Sequence, residues 1–459
     1  MKTRFQAERP MNPLLPPEYC IPDVEASSMP DGSLYLYGSH DVSDKEYCSR
    51  DYAVFSTEDF QSWTMEAPSF RCEDIPWAGT VGLSRALDEV KRFDDLPLYL
   101  KKVIPGAGKL VPIKLLVKSI RDNSPGLQPE TATLFAPDAI EKDGKYYLFF
   151  CLSDGSEGVA VSDSPNGPFT EPVALPTLGI DPSVFRDDDG KVYLFWDQFS
   201  SRAVELDPDL KSFDEAKVKS GLVTEEEHHF HEGSSVRKRG DTYYYVFADT
   251  SRKNRPTCLG YATAKHPLGP YTYQGVIIDN LGCDPETWNN HGCIQEYKGQ
   301  WYVFYHRSSR NSKFHRRVCC EPIFFDENGL IAEVKMTSQG PGPAFAPGED
   351  IPAYAACEVS GGAYVDEDRL VLKGDSAACF RYLQGNTQPI VLHVVGDSDA
   401  ALQILADGVA VGTLTLRGTD GATMISSPEH DWELTLAVGK TNGSVISRIW
   451  IEAMGSEGV

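Results

Sequence analysis

Runs of apolar and aromatic residues recur along this chain, each entered through a glycine flanked by charged or amide side chains. The copies are Asp31–Tyr37 (DGSLYLY), Asp143–Phe149 (DGKYYLF), Asp189–Phe195 (DGKVYLF), the copy beginning Gly240-Asp241-Thr242, and Lys298–Phe304 (KGQWYVF). A glycine turn feeding a β-branched and aromatic run predicts the second strand of a hairpin. The turn glycines Gly144, Gly190, Gly240 and Gly299 follow one another at 46, 50 and 59 residues, and Gly32 precedes Gly144 by 112. A second apolar strand with a turn behind it follows each copy, from Ala53, Gly158, Ala203, Leu259 and Arg316. Hairpins with returning strands, repeated at such a period, predict an all-β chain whose residues 12–340 form a five-bladed β-propeller.

The alternation lapses between Trp77 and Leu134. There LSRALDEVKRFDDLPLYLKKVIP and GKLVPIKLLVKSIRD carry apolar residues at three- and four-residue intervals, which predicts a helical insertion over 78–131, two short helices broken at Pro105. It could cover a channel mouth, pack against a second subunit in a homo-oligomer, or lie on its own blade. After Gly340 a Pro/Gly-rich stretch, 341–354, predicts a linker, and the short strands of 355–459 predict a small β-sandwich. Its candidate sugar-stacking aromatics are Tyr364, Phe380, Tyr382, Trp432 and Trp450, several of which alternate with strand core.

One polar residue stands ahead of each turn glycine: Asp23, Asp138, Asp181, Glu232 and His291, by 9, 6, 9, 8 and 8 residues. The first strand of a propeller blade lines the central channel, so these five side chains are expected to converge on one mouth of it. Four acids and a histidine in one cavity would make an active site.

The motifs Ile21-Pro22-Asp23-Val24, Asp181-Pro182-x-x-Phe185 and Glu232-Gly233-x-Ser235, in that order and each in phase with a blade, resemble those of glycoside hydrolase family 43 over roughly residues 12–340. The resemblance implies an inverting exo-glycosidase that removes a terminal pentose, β-xylose or α-L-arabinofuranose, from oligosaccharides. Asp23 would be the general base, Glu232 the general acid, and Asp181 the group that raises the acid's pKa. In the inverting arrangement the two carboxylates stand roughly 6.5–9.5 Å apart, leaving room for a water. An exo-β-galactosidase of the same family and a carbohydrate-binding propeller without catalysis are the alternatives. The C-terminal region faintly resembles a family 6 carbohydrate-binding module.

Around the acids, Asp138 and His291 are candidate substrate-binding residues. Trp77, Trp196, Trp288 and Phe199 are candidate stacking faces, and Arg307 in FYHRSS a candidate hydroxyl donor. For Trp77 and Trp288 core packing is equally open. No cofactor is required; a calcium ion in the channel, held through His291, is a second reading of that histidine, although one histidine without an acidic cluster is poor calcium chemistry.

Composition narrows partners more than chemistry. A net charge of −24 disfavours nucleic acid and anionic membrane. Eleven cysteines in scattered positions give neither a disulfide framework nor a paired CxxC zinc spacing. The N-terminus carries no apolar core of a secretory signal and no stretch reads as a membrane span, so a cytoplasmic protein is expected.

Overall fold

The computed structural model describes residues 2–78, 83–104, 111–123, 131–253, 255–440 and 443–453. Among these the chain is all-β with few helices, as the alternation predicts. Five antiparallel sheets follow one another through the first 323 residues. Sheet one is Glu25–Ser28, Leu34–Tyr37, Asp51–Thr57 and Ser62–Arg71, with Lys2–Gln6 added beyond the last. Sheet two runs from Asp138–Lys142 to Thr170–Leu178, sheet three from Ser183–Arg186 to Lys219–Thr224, and sheet four from Phe230–Arg239 to Thr272–Asp279. Sheet five holds Ile294–Tyr297, Gln300–Ser309 and Ser312–Ile323.

The hairpin turns lie where the glycines predict them. Gly32, Gly144, Gly190, Gly240 and Gly299 have φ of 85°, 76°, 85°, 57° and 85°, a left-handed conformation that side chains with a Cβ rarely adopt. The first strand of each sheet touches the first strand of the next, and Ile294–Tyr297 of sheet five touches Glu25–Ser28 of sheet one. Apolar clusters lie between successive sheets. Phe70 packs on Phe150 and Phe195 on Tyr245, while Phe149 and Leu194, Val246 and Tyr305, and Phe304 and Phe55 share further clusters. Burying each such side chain contributes about 1.5–3 kcal/mol, so the inner strands are fixed by packing on both sides.

The fifth sheet differs from the expected four-stranded unit. Along the free edge of Ser312–Ile323 lies the N-terminal stretch: Leu14 N–H donates to the Val318 carbonyl at 3.0 Å, and the Asn12 side chain exchanges hydrogen bonds of 2.9 and 3.0 Å with the Cys320 backbone.

The insertion is helical but more broken than expected. Among the described residues it holds helices Leu83–Glu89, Leu98–Val103 and Ile113–Asn123 with a 3-10 turn Phe93–Asp95, and Pro97 stands at the N-cap of the second helix. Pro105 lies outside the described residues. Leu83 and Leu87, and Leu116 and Ile120, four apart on their helices, build a separate apolar cluster with Leu96 and Leu100. Lys102 reaches back to Glu225 and Glu226 at 2.7 and 3.2 Å.

C-terminally, two sheets of six and five strands share one apolar core around Phe345, Phe380, Trp432 and Ile449. Part of the stretch read as linker belongs to it: Asp350–Pro352 pairs with Ser444–Ala453. Phe380 and Trp432 are fully buried, and Trp450 is stacked by His393 at 4.5 Å with Arg448 on it at 4.7 Å, so none of the three is an open platform.

Candidate active site

The residues ahead of the inner strands do gather, but at two depths. Asp23 sits in the bend before Glu25–Ser28, Asp181 in the bend before Ser183–Arg186, Glu232 third in Phe230–Arg239, and His291 in the approach to Ile294–Tyr297. All four line a cavity of about 320 Å³, with Phe135, Ile180 and Trp288 among its apolar walls. That volume lies near the lower bound for small-ligand pockets. Asp23 and Asp181 hold φ of 56° and 55°, a conformation that costs a non-glycine residue of order 1–3 kcal/mol and that clusters at functional sites.

His291 is the hub. Its Nδ1 lies 3.8 Å from Asp23 Oδ1 and 3.8 Å from Asp181 Oδ2, so the two carboxylates stand within twice that distance of one another. Gly233, with φ of 73°, lets the strand pass under the imidazole: a Cβ there would stand 2.8 Å from the ring. Glu232 Oε2 accepts a hydrogen bond of 2.7 Å from Gln198 Nε2 and lies 3.9 Å from His231 Nε2. Its side chain is 14% exposed against 8% and 9% for Asp23 and Asp181, so Glu232 lies nearer the solvent side of the cavity.

A buried guanidinium sets the electrostatics. Arg316 donates to Asp23 Oδ1 at 2.8 Å and, through Nε and its other amine, to both oxygens of Asp41 at 2.8 and 3.0 Å. Burial alone would raise Asp23, but the charge of Arg316 outweighs it and holds the Asp23 carboxyl below its usual value. Asp181 goes the other way: burial first, then the charges of Glu232 and Asp23, push it well above the usual carboxylate range. The strongly raised carboxyl at the cavity is Asp181. Burial also lowers His291, and drives His306, whose Nδ1 lies 3.5 Å from Asp23, down to about 3, so both imidazoles are neutral around pH 7.

Several expected site residues are elsewhere. Asp138 is buried below the cavity and ties sheet two to sheet three, accepting from Val184 N–H at 2.7 Å and Ser183 Oγ at 3.2 Å. Deeper still, Arg237 pairs with Glu25 at 2.7 Å, so charged side chains plug the space between the inner strands. Arg307 points to the opposite face of its strand, where it donates to Tyr305 Oη and Glu321 at 2.7 and 3.4 Å. Its neighbour His306 faces the site instead, because adjacent strand residues point to opposite faces. Trp196 is buried against Phe213, its ring under Gly179 of the cavity wall, and Trp77 stacks on Phe150. Phe199 is buried edge-on to His231, one residue from the acid. Of the four candidate aromatics, Trp288 alone lines the cavity, and it is 44% exposed. The calcium reading of His291 lacks a donor set: Asp23 is committed to Arg316, and among the described residues no group of three or more His, Cys, Asp or Glu side chains is arranged to hold a metal ion.

Arg316, His306, Gln198 and Asp41 escaped the sequence reading. Arg316 had a signal, a charged pair opening the apolar run RRVCC, since a charge inside a buried strand requires a partner. Gln198 and Asp41 lie in irregular segments with no periodicity to mark them.

A cavity walled by apolar side chains, with one carboxyl pulled below and a second pushed above the usual carboxylate range, suits paired acid and base work. Comparison with known proteins agrees. The family model of glycosyl hydrolases family 43 matches residues 115–331, which include Asp181, Glu232, His291 and Arg316. A xylosidase/arabinosidase of Thermoclostridium stercorarium is 29% identical over 76% of this chain and 72% of its own length, and a β-xylosidase of Xylanibacter ruminicola 28% identical over 68% and 95%. Among solved structures, a family 43 β-xylosidase/α-arabinofuranosidase from a compost microbial metagenome, in complex with xylotriose, superposes with a TM-score of 0.52 at 26% identity, covering 72% of this chain and 99% of that one. A Bacillus subtilis arabinoxylan arabinofuranohydrolase gives 0.52 at 20% identity over 96% of this chain and 97% of its own, a likeness of fold that extends into the C-terminal sheets. The chain is a glycoside hydrolase, and over residues 115–331 it is similar to family 43.

Proposed function

We propose that this chain is an inverting, exo-acting glycosidase that releases a terminal pentose, β-xylose or α-L-arabinofuranose, from oligosaccharides. Five sheets in sequence whose first strands contact one another in a cycle support reading residues 12–340 as a five-bladed propeller, and the two C-terminal sheets on one core support a β-sandwich. Asp23 is the general base: ionised by Arg316, it takes a proton from the attacking water. Glu232, on the more exposed side, protonates the departing oxygen, and Asp181 shares the proton that Glu232 delivers. His291 spaces Asp23 from Asp181 without adding charge. The carrying observation is that three carboxylates from three sheets enter one small cavity, with Asp23 pulled below and Asp181 pushed above the usual carboxylate range. A cavity of about 320 Å³ suits one terminal sugar rather than a through-going chain.

The xylosidase and arabinosidase relatives favour a pentose. A β-D-galactofuranosidase of Aspergillus niger, 29% identical over 44% of this chain and 62% of its own length, keeps a galactose unit as the competing substrate. A panel of nitrophenyl β-xyloside, α-arabinofuranoside, β-galactofuranoside and β-galactopyranoside separates them. Glu232→Ala tests the mechanism: hydrolysis of glycosides with poor leaving groups is expected to fall by about 10²–10⁴, and that of glycosides with very acidic leaving groups far less. Equal loss on both would remove the acid assignment.

A further inference from the structure

Beyond the carboxylates, the mouth of the cavity carries a feature that hydrolysis of a neutral pentoside does not use. Trp288 lies on the loop between Thr272–Asp279 and Ile294–Tyr297, and its indole is the exposed part of the cavity wall. Two cations from two other loops flank it. The Arg255 guanidinium, from the segment before Cys258–Ala264, lies 5.5 Å from the ring centre, and Lys313 Nζ, from the hairpin opening Ser312–Ile323, lies 5.8 Å from it. Arg255 is tethered by one hydrogen bond to the Thr287 carbonyl at 3.1 Å. Among the described residues neither cation forms an ion pair with an acid, and the nearby exposed Glu286 pairs with neither.

In a chain of net charge −24, two unneutralised cations beside the exposed indole of the cavity wall need a reason. Cation–π attraction at an exposed ring is weak, which leaves both side chains available to a stronger partner. An indole presents a flat apolar surface to a sugar ring, and a guanidinium and an ammonium beside it supply donors for a carboxylate. Since the acids occupy the buried end, the unit lying against Trp288 belongs to the leaving group.

We propose that Trp288, Arg255 and Lys313 form a leaving-group subsite for a sugar unit bearing a carboxylate, a uronic acid, next to the scissile bond. The proposal rests on the glycosidase reading for its placement, and its test is a binding measurement that needs no turnover. Calorimetry on the full chain carrying Glu232→Gln compares pentose oligosaccharides with and without a uronic acid beside the terminal unit. The acidic ligand should bind roughly tenfold more tightly at low salt, through two partly exposed charge pairs, and lose most of that advantage at about 0.5 M salt. In Arg255→Gln/Lys313→Gln protein the advantage should fall to within about twofold of unity, while Trp288→Ala should weaken both ligands. Equal binding of the two ligands by the parent, or an advantage unchanged by salt and by the double substitution, overturns the subsite. If the acidic ligand is preferred yet the unsubstituted chain hydrolyses no glycoside of the panel, the subsite stands and the glycosidase reading falls.

Discussion

Replacing Arg316 by glutamine is the sharpest test of the electrostatics described above. The guanidinium is 2% exposed and bonds Asp23 at 2.8 Å and Asp41 at 2.8 and 3.0 Å, so its loss leaves two carboxylates buried without a countercharge. Breaking such a pair costs about 3–5 kcal/mol of stability. With Arg316 present, the folded pKa of Asp23 lies below the ordinary value of 3.8, so this group adds stability above that pH and loses it as pH falls through the folded value. Without the guanidinium the burial cost is unopposed and the folded value rises above 3.8. The group then costs stability at neutral pH and returns it on acidification. An arginine beside a carboxylate is worth about 1–3 pKa units, so the acid limb of kcat/KM, which requires an ionised base, should move up by about that much. Urea denaturation at pH 5 and pH 8 and a pH series on the best nitrophenyl substrate measure the two effects. Arg316→Lys keeps the charge but not the fork, and should retain most of the limb position while losing stability. An acid limb that stays put in Arg316→Gln protein refutes the claim that this guanidinium ionises the base.

Other outcomes follow from single contacts. Gly233→Ala meets both a φ of 73° and the His291 ring at 2.8 Å, so kcat should drop about 10–100-fold with the fold intact by circular dichroism; full activity would mean that His291 needs no fixed place. Arg307→Ala breaks a buried tie to Glu321 and Tyr305 on the face turned from the site, so it should lower denaturation midpoints by the equivalent of about 3–5 kcal/mol while KM of the folded enzyme holds. A raised KM would restore it as a substrate contact. Proton NMR of the first-formed sugar should show the inverted anomer, and retention would require a carboxylate nucleophile.

The strand pattern was legible because turn glycines and period-2 runs are local signals, and the sheets repeat them in phase. The phase relation was also enough to find Asp23, Asp181, Glu232 and His291, each of which lies just ahead of, or at the head of, its inner strand. It failed at Asp138, which has the right place in the repeat but is turned into the neighbouring sheet, bonded to Val184 and Ser183, and does not line the cavity. Depth along the inner strands is a three-dimensional quantity that spacing to a glycine does not encode. The confusion of Arg307 with His306 is of another kind. Both stand in one strand, and only the pairing register of Gln300–Ser309 decides which of the two faces inward. The helices of 78–131 were legible as helices but not as three, because Pro97 competes with an apolar period that runs through it.

The charge distribution along the inner strands argues for what the site is. Away from the cavity, Arg237 pairs with Glu25, with the buried Asp138 beside them. At the cavity, Asp23, Asp181 and Glu232 face a single guanidinium that Arg316 already divides between Asp23 and Asp41. Neither His291 nor His306 can supply the missing positive charge, because burial keeps both imidazoles neutral. Arg316 disfavours a proton on Asp23, while burial and two neighbouring charges favour one on Asp181. A site that holds one exchangeable proton among acids, beside a carboxylate kept bare, meets the two requirements of glycoside hydrolysis through a deficit of cations rather than through any one residue's intrinsic acidity.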